Sequence, residues 1–258
     1  MTAFNLPTSA TAQTGSIACT EPEWQARVEL AAAYRLVHRH GWGESIYNHI
    51  SLRVPDQPDH FLVKPHGLTF AEVTASTLIK VSMFGNLDES AGVNRPGYVL
   101  HAGILGARTE VNAVVHVHTE SVVAVSAKRA GLRMLSQYAI RFYESIGYHD
   151  YEGITDGMAE RPRILANLGP HRALIMRNHG AVTVGPTVRA AFIAIKDLID
   201  ACRIQLLIES GSGDIIEIPP DICTSAARQM RAHDDGRGGA DWPAYLRQLD
   251  HFEPAYKT

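Results

Sequence analysis

The amino-acid sequence predicts an α/β fold in one domain, and three observations carry that reading. Short β-rich runs alternate with segments of helical spacing, no Pro/Ser-rich linker divides residues 22–258, and 258 residues of which 45% are hydrophobic suffice for a sizeable core. A chain of this length buries roughly 70–75% of its unfolded surface. Residues 1–21, rich in Ser, Thr and Ala without a sustained period, read as a flexible arm. Thr20-Glu-Pro-Glu23 then has the spacing of a capping box, so a helix is expected over 22–39, its apolar face marked by Trp24, Val28, Ala31 and Leu36. Strands are expected at 46–54 and 61–64, joined by the turn-like Pro55-Asp-Gln-Pro-Asp59. A short segment at 75–79 leads into 80–83, and the whole group reads as antiparallel. Residues 98–107 have helical spacing despite two glycines, 113–118 form an apolar strand, and Thr119 caps a helix to about residue 130. Loop and helix signals over 143–153 precede a helix near 158–168 and a strand at 173–176. Arg177-Asn-His-Gly180 reads as a turn, 181–184 as a strand, and Gly185-Pro-Thr187 as the start of a long amphipathic helix to about residue 210. The remainder holds a bend at Pro219-Pro220, a glycine-rich loop at 236–239 and a helix opened by Asp241. Trp24, Tyr34 and Phe192, at helical spacing, read as core or subunit contacts.

Composition narrows the function. With Lys+Arg 24 against Asp+Glu 27 the formal charge is -3, so no basic face is expected for nucleic acid or an anionic membrane, and small-molecule chemistry is the better fit. The three cysteines, Cys19, Cys202 and Cys223, show no CxxC spacing, which argues against a disulfide framework or a zinc ribbon and fits a reducing cytoplasm. No stretch of the sequence has the pattern of a secretion signal or of a membrane span.

The unusual count is thirteen histidines. His116 and His118 end an apolar strand, and because strand side chains alternate faces, two imidazoles at i and i+2 point the same way and can grip one ion. His38 and His40 have the same spacing but fall at a helix end, where they read as complements to the helix dipole. His179 ends another strand inside Asn178-His-Gly180, where the glycine lets the backbone turn. Three neutral imidazoles with an open fourth position describe a catalytic site for zinc, iron(II), manganese or cobalt; the bland alternative is hydrogen-bonded core histidines. His101 is either a partner that orients a metal ligand or a helix-face residue, and Glu120 reads as support for a helix N-terminus. Tyr148-His-Asp-Tyr-Glu152 gathers polar and aromatic groups on an expected loop, from which Tyr151 is the candidate general acid.

Taken together, Asn48-His-Ile-Ser-Leu-Arg53, Lys64-Pro-His-Gly67, Leu100-His101, Val115-His-Val-His118, Arg177-Asn-His-Gly180 and Gly185, in that order, resemble the class II aldolase/adducin superfamily over about residues 24–215. The resemblance implies a three-layer α/β/α fold around a mixed, largely antiparallel sheet. It implies a domain over 22–215 with residues 216–258 as a tail packed on it, and a ring-shaped homotetramer with sites between subunits. His116, His118 and His179 match the family's three metal-binding histidines, and Tyr151 sits where the aldolases carry a proton-donating tyrosine. The catalytic glutamate of the sugar-phosphate aldolases is replaced by Gly97, and their small phosphate-binding groups by Asn48-His49, His66-Gly67 and Arg95-Pro96. His49, His66 and Arg95, with Lys64, suit a carboxylate or a phenol better than a phosphate, so a non-phosphorylated substrate is expected. Gly97 and the Tyr148–Tyr151 form look closer to the adducin-like bacterial branch. The resulting expectation is a cytoplasmic, divalent-metal-dependent lyase that cleaves a carbon-carbon bond of a small hydroxy or oxo acid through a metal-stabilised enolate. The alternatives are an iron(II) oxygenase of aromatic 2-oxo or 2-hydroxy acids and a non-catalytic interaction module.

Overall fold

A computed structural model describes residues 17–258 apart from residues 44, 86, 88–90, 155–156 and 237–238; most of the expected N-terminal arm and part of the loop at 236–239 therefore lie outside the described residues. Helix α1 (Glu21–Arg39) starts where the sequence signals it, with the Thr20 hydroxyl accepting from the Glu23 amide. The rest of the expected capping box is absent. Glu23 turns inward instead and pairs with Arg27 at 2.8 Å and Lys80 at 2.7 Å, while Arg27 also donates to the Leu78 carbonyl. A buried carboxylate has to be paired, and the two cations supply its partners.

One seven-stranded sheet is built from β1 (His49–Val54), β2 (Gln57–Val63), β3 (Ile79–Ser82), β4 (Ala113–Val117), β5 (Ile146–His149), β6 (Ala173–Met176) and β7 (Gly180–Gly185), in the order β3-β2-β1-β4-β7-β6-β5. All neighbours are antiparallel except β5 and β6, which run parallel. The sheet is covered on both faces, which gives the expected three layers. Ile50, Leu52, Val115 and Val117 pack with α1 and α6 (Val188–Glu209). Val114, Val182 and Val184 pack with α2 (Arg95–Ala107) and α5 (Arg161–Leu168) on the other face. By strand alternation His49 and Ser51 of β1, and His116 of β4, belong to the α2 face. Tyr34, buried in α1, accepts from the Ile50 and Lys64 amides and so fixes the helix to β1 and to the end of β2.

Several expectations are corrected. Residues 143–153 contain β5 rather than only loop and helix; its polar residues and Gly147 mask a four-residue edge strand. A Cβ at Gly147 would lie 2.0 Å from the Asn167 carbonyl oxygen, so glycine there lets α5 close on the strand. The turn before β2 is shorter than Pro55–Asp59, since Gln57 is already paired with Val54. Helix α3 (Glu120–Ser126) stops before residue 130, and α4 (Gln137–Ile140) follows it. Residues 216–258 hold α7 (Pro220–Gly236), missed because Pro219-Pro220 reads as a bend, although a proline also suits a first helical turn. Helix α8 (Asp241–Phe252) is present as expected, and its Trp242 and Leu249, with Tyr256 beyond it, join the core beneath α1. The described helices include none long and apolar enough to cross a membrane.

Candidate functional site

His116, His118 and His179 meet at one end of the β4–β7 pair. Val117 of β4 faces Ala181 of β7, so the residue after β4 and the turn before β7 are brought together. Each of the three histidines offers one ring nitrogen, and these atoms all lie within 4.8 Å of one another. Asn178 makes the turn, with a left-handed φ of 57° that asparagine tolerates, and the His179 amide donates to the Met176 carbonyl at 3.1 Å. Gly180, to which the sequence assigns the turn, serves close approach instead, since a Cβ there would lie 2.5 Å from the Val117 carbonyl oxygen and 2.9 Å from the His118 ring. It allows the two strand ends to come together.

The donor set fits a divalent ion. His116 Nδ1 donates to the Ala181 carbonyl at 3.0 Å, which fixes the tautomer and leaves Nε2 as a ligand, 2.7 Å from His118 Nε2. Burial, and then the neighbouring His118, hold His116 well below the usual histidine range and bring His179 down to about 4, so both imidazoles are neutral near pH 7 as metal ligands must be. Three histidines facing a cavity leave coordination positions open on one side.

That cavity, about 510 Å³, is lined by His49, Tyr47, Asn94, Leu100 and Tyr151 among others, besides the three histidines. Tyr151 is 57% exposed, its ring centroid 6.4 Å from that of His179. The chain around it is tethered: buried His149 contacts the Glu160 carboxylate at 3.1 Å and Asn167 at 2.9 Å, and Glu152 pairs with Arg163 at 2.7 Å. The sequence flagged this cluster without the anchoring role of His149, because neither Glu160 nor Asn167 is near it in the chain.

Other expected residues divide. His49 lines the cavity, stacked beside His116 with centroids 5.0 Å apart. His101 does not touch the three-histidine cluster. It bonds His49 at 2.8 Å, and its other ring nitrogen bonds Ser51. Gly97 underlies this group: a Cβ would lie 2.7 Å from both Cδ2 and Nε2 of His49, so the imidazole occupies space that any side chain at 97 would need. Lys64 donates to the Ile46 and Pro65 carbonyls and is not among the lining residues; burial brings its ammonium down to about 8. His66 is exposed, 6.3 Å from the Tyr47 ring, and Arg95 is exposed at the start of α2 beside the lining residues Asn94 and Pro96. Ser51 escaped the sequence reading, although its place two residues after His49 puts it on the same strand face.

Residues 28–206 match the family described as the class II aldolase and adducin N-terminal domain. The chain belongs to that family. Among solved structures of class II aldolase type, an aldolase II superfamily protein from Pseudomonas syringae is 39% identical, covering 93% of this chain and 98% of that one with a TM-score of 0.87. The L-fuculose 1-phosphate aldolase from Glaciozyma antarctica is 27% identical over 98% and 97% of the two chains, with a TM-score of 0.78. The alpha-adducin of Rattus norvegicus is 43% identical over 203 residues, 77% of this chain and 28% of that protein. The family contains both aldolases and adducins, so membership sets the fold and leaves the reaction to the site.

Proposed function

We propose that this class II aldolase family member is a divalent-metal-dependent lyase that cleaves a carbon-carbon bond, by retro-aldol cleavage or decarboxylation, in a small non-phosphorylated hydroxy or oxo acid. The observation that carries the reading is the convergence of His116, His118 and His179 on one open cavity, with the His116 tautomer set by the Ala181 carbonyl. The ion, zinc or alternatively iron(II), manganese or cobalt, would supply Lewis-acid polarisation of a substrate carbonyl or hydroxyl oxygen. The chain supplies the rest. Leu100 and Tyr47 line the cavity beside the three histidines, and Tyr151 reaches it from a tethered segment as the proton donor. The presence of Asn48-His49, His66-Gly67 and Arg95-Pro96 in place of the aldolases' small phosphate-binding groups supports a substrate without phosphate. Arg95 and His66, outside the lining, are the proposed contacts for a carboxylate that extends beyond the cavity.

A second reading, a non-catalytic binding module, draws on the likeness to alpha-adducin. The deciding experiment offers the zinc-, manganese- or cobalt-loaded protein a panel of hydroxy and oxo acids under anaerobic conditions. Product formed without oxygen is expected, and Tyr151→Phe should lower kcat about 100-fold or more while leaving KM nearly unchanged. Turnover only with iron(II) and oxygen uptake would replace the lyase by an oxygenase. Absence of turnover with every metal would favour the binding module.

A further inference from the structure

Behind the cavity lies a hydrogen-bonded chain whose direction is determined. The buried Ser51 hydroxyl has one hydrogen-bond partner among the described residues, Nδ1 of His101. A hydroxyl proton in a buried site must be donated, and a neutral imidazole carries one N–H and one acceptor nitrogen. Ser51 therefore donates to His101 Nδ1, which places the His101 proton on Nε2. That N–H donates to His49 Nδ1 at 2.8 Å, which in turn places the His49 proton on Nε2. The two nitrogens of an imidazole point away from each other, so with Nδ1 turned to His101 of α2, Nε2–H lies on the ring's other edge, over Gly97; it is not among the fully buried polar atoms left without a partner, and His49 lines the cavity, so this N–H is the one available to a ligand there. Both rings are buried, which disfavours a charged imidazole at either position. Gly97 supplies the space for this arrangement.

We propose that His49 is a catalytic hydrogen-bond donor: locked by Ser51 and His101 as the neutral Nε2–H tautomer, it holds the substrate oxygen on which negative charge grows as the carbon-carbon bond breaks. The ring stands beside the ligand His116, so its N–H and the metal position lie within reach of one small acid. An N–H fixed in place before reaction stabilises developing charge without reorganising, and a neutral donor adds no second cation next to the metal. The oxygen accepts a hydrogen bond and no proton changes owner, which leaves Tyr151 as the proton source. Ser51 and His101 act through His49 and are positioning residues. This inference rests on the lyase reading, whose substrate it provides with an oxyanion contact.

The first test is independent of metal and turnover. Long-range proton–nitrogen NMR of the full chain without added metal should show His49 and His101 both as Nε2–H tautomers, and Ser51→Ala should remove that preference at His101; a His49 proton on Nδ1 overturns the proposal. The second uses oxalate, a dianion resembling an enolate of a 2-oxo acid, titrated calorimetrically into zinc-loaded protein. His49→Leu should weaken oxalate about 10–100-fold at unchanged zinc content, and His49→Gln, which restores an N–H donor, should recover most of the loss. Unchanged oxalate affinity in His49→Leu overturns the His49 role and leaves the lyase reading intact. Failure of the wild-type chain to bind zinc overturns that reading and with it the oxyanion role, while the tautomer result stands. Should His49→Leu not fold, Ser51→Ala provides both readouts with His49 in place, and it should weaken oxalate as well.

Discussion

Replacing Gly97 by alanine tests the arrangement of helix α2 against β1 at its tightest point. The added Cβ would stand 2.7 Å from Cδ2 and Nε2 of His49, against about 3.5–4.0 Å for an ordinary carbon contact. The ring would have to recede by about 1 Å, yet it is held at 2.8 Å by His101 on one side and stacked against His116 on another. Overpacking of this kind costs about 1–3 kcal/mol, and the helix-propensity gain of alanine over glycine returns at most about 1 kcal/mol. A net loss of about 1–2 kcal/mol is therefore expected, with a melting temperature several degrees lower. Gly106→Ala in the same helix is the control, because its Cβ meets only the Phe84 ring at 3.8 Å and should stabilise by up to about 1 kcal/mol. Urea and thermal unfolding of the two variants measure the difference. If Gly97→Ala is as stable as Gly106→Ala, the His49 ring does not lie over α2 and the reasoning fails.

Two further outcomes follow from buried charge. Glu23→Leu strands Arg27, buried beside it, and should cost about 3–5 kcal/mol in urea unfolding; a loss below about 1 kcal/mol would show that the Arg27 and Lys80 pairs are dispensable. Acid should destabilise the metal-free protein in a window set by histidines: the folded values of about 3 for His101 and about 4 for His179 lie below the ordinary 6.5, so below pH 6.5 the unfolded chain binds more protons. Stability is then full above pH 6.5 and falls as pH drops towards 4, and a urea midpoint at pH 5 equal to that at pH 7.5 would contradict it.

The fold and site were legible to different depths. Strands with a continuous apolar run, such as β4 and β6, and the long helix α6 are encoded by local pattern, so the sequence places them within a few residues. Strand β5 is not, because Gly147 is chosen for packing against α5, Tyr148 for accepting from the Leu132 amide on the other face and His149 for anchoring to Glu160, which only the tertiary structure reveals. The three-histidine cluster was readable from the i, i+2 spacing of His116 and His118 and from the position of His179 at a strand end. The role of Gly97 was not: the sequence shows a missing side chain, and the reason is the His49 imidazole of β1, far earlier in the chain. The role expected of Gly180 falls to Asn178 for a similar reason, as the close strand approach that Gly180 serves is a tertiary demand and turn formation a local one.

The most direct test of the central claim is the metal stoichiometry of the full chain after zinc loading and dialysis, measured by elemental analysis alongside His116→Ala. One zinc ion per chain in the wild type and none retained by the variant is the predicted result. A wild type that retains no zinc, or a variant that retains as much as the wild type, would contradict the assignment of His116, His118 and His179 as the metal centre.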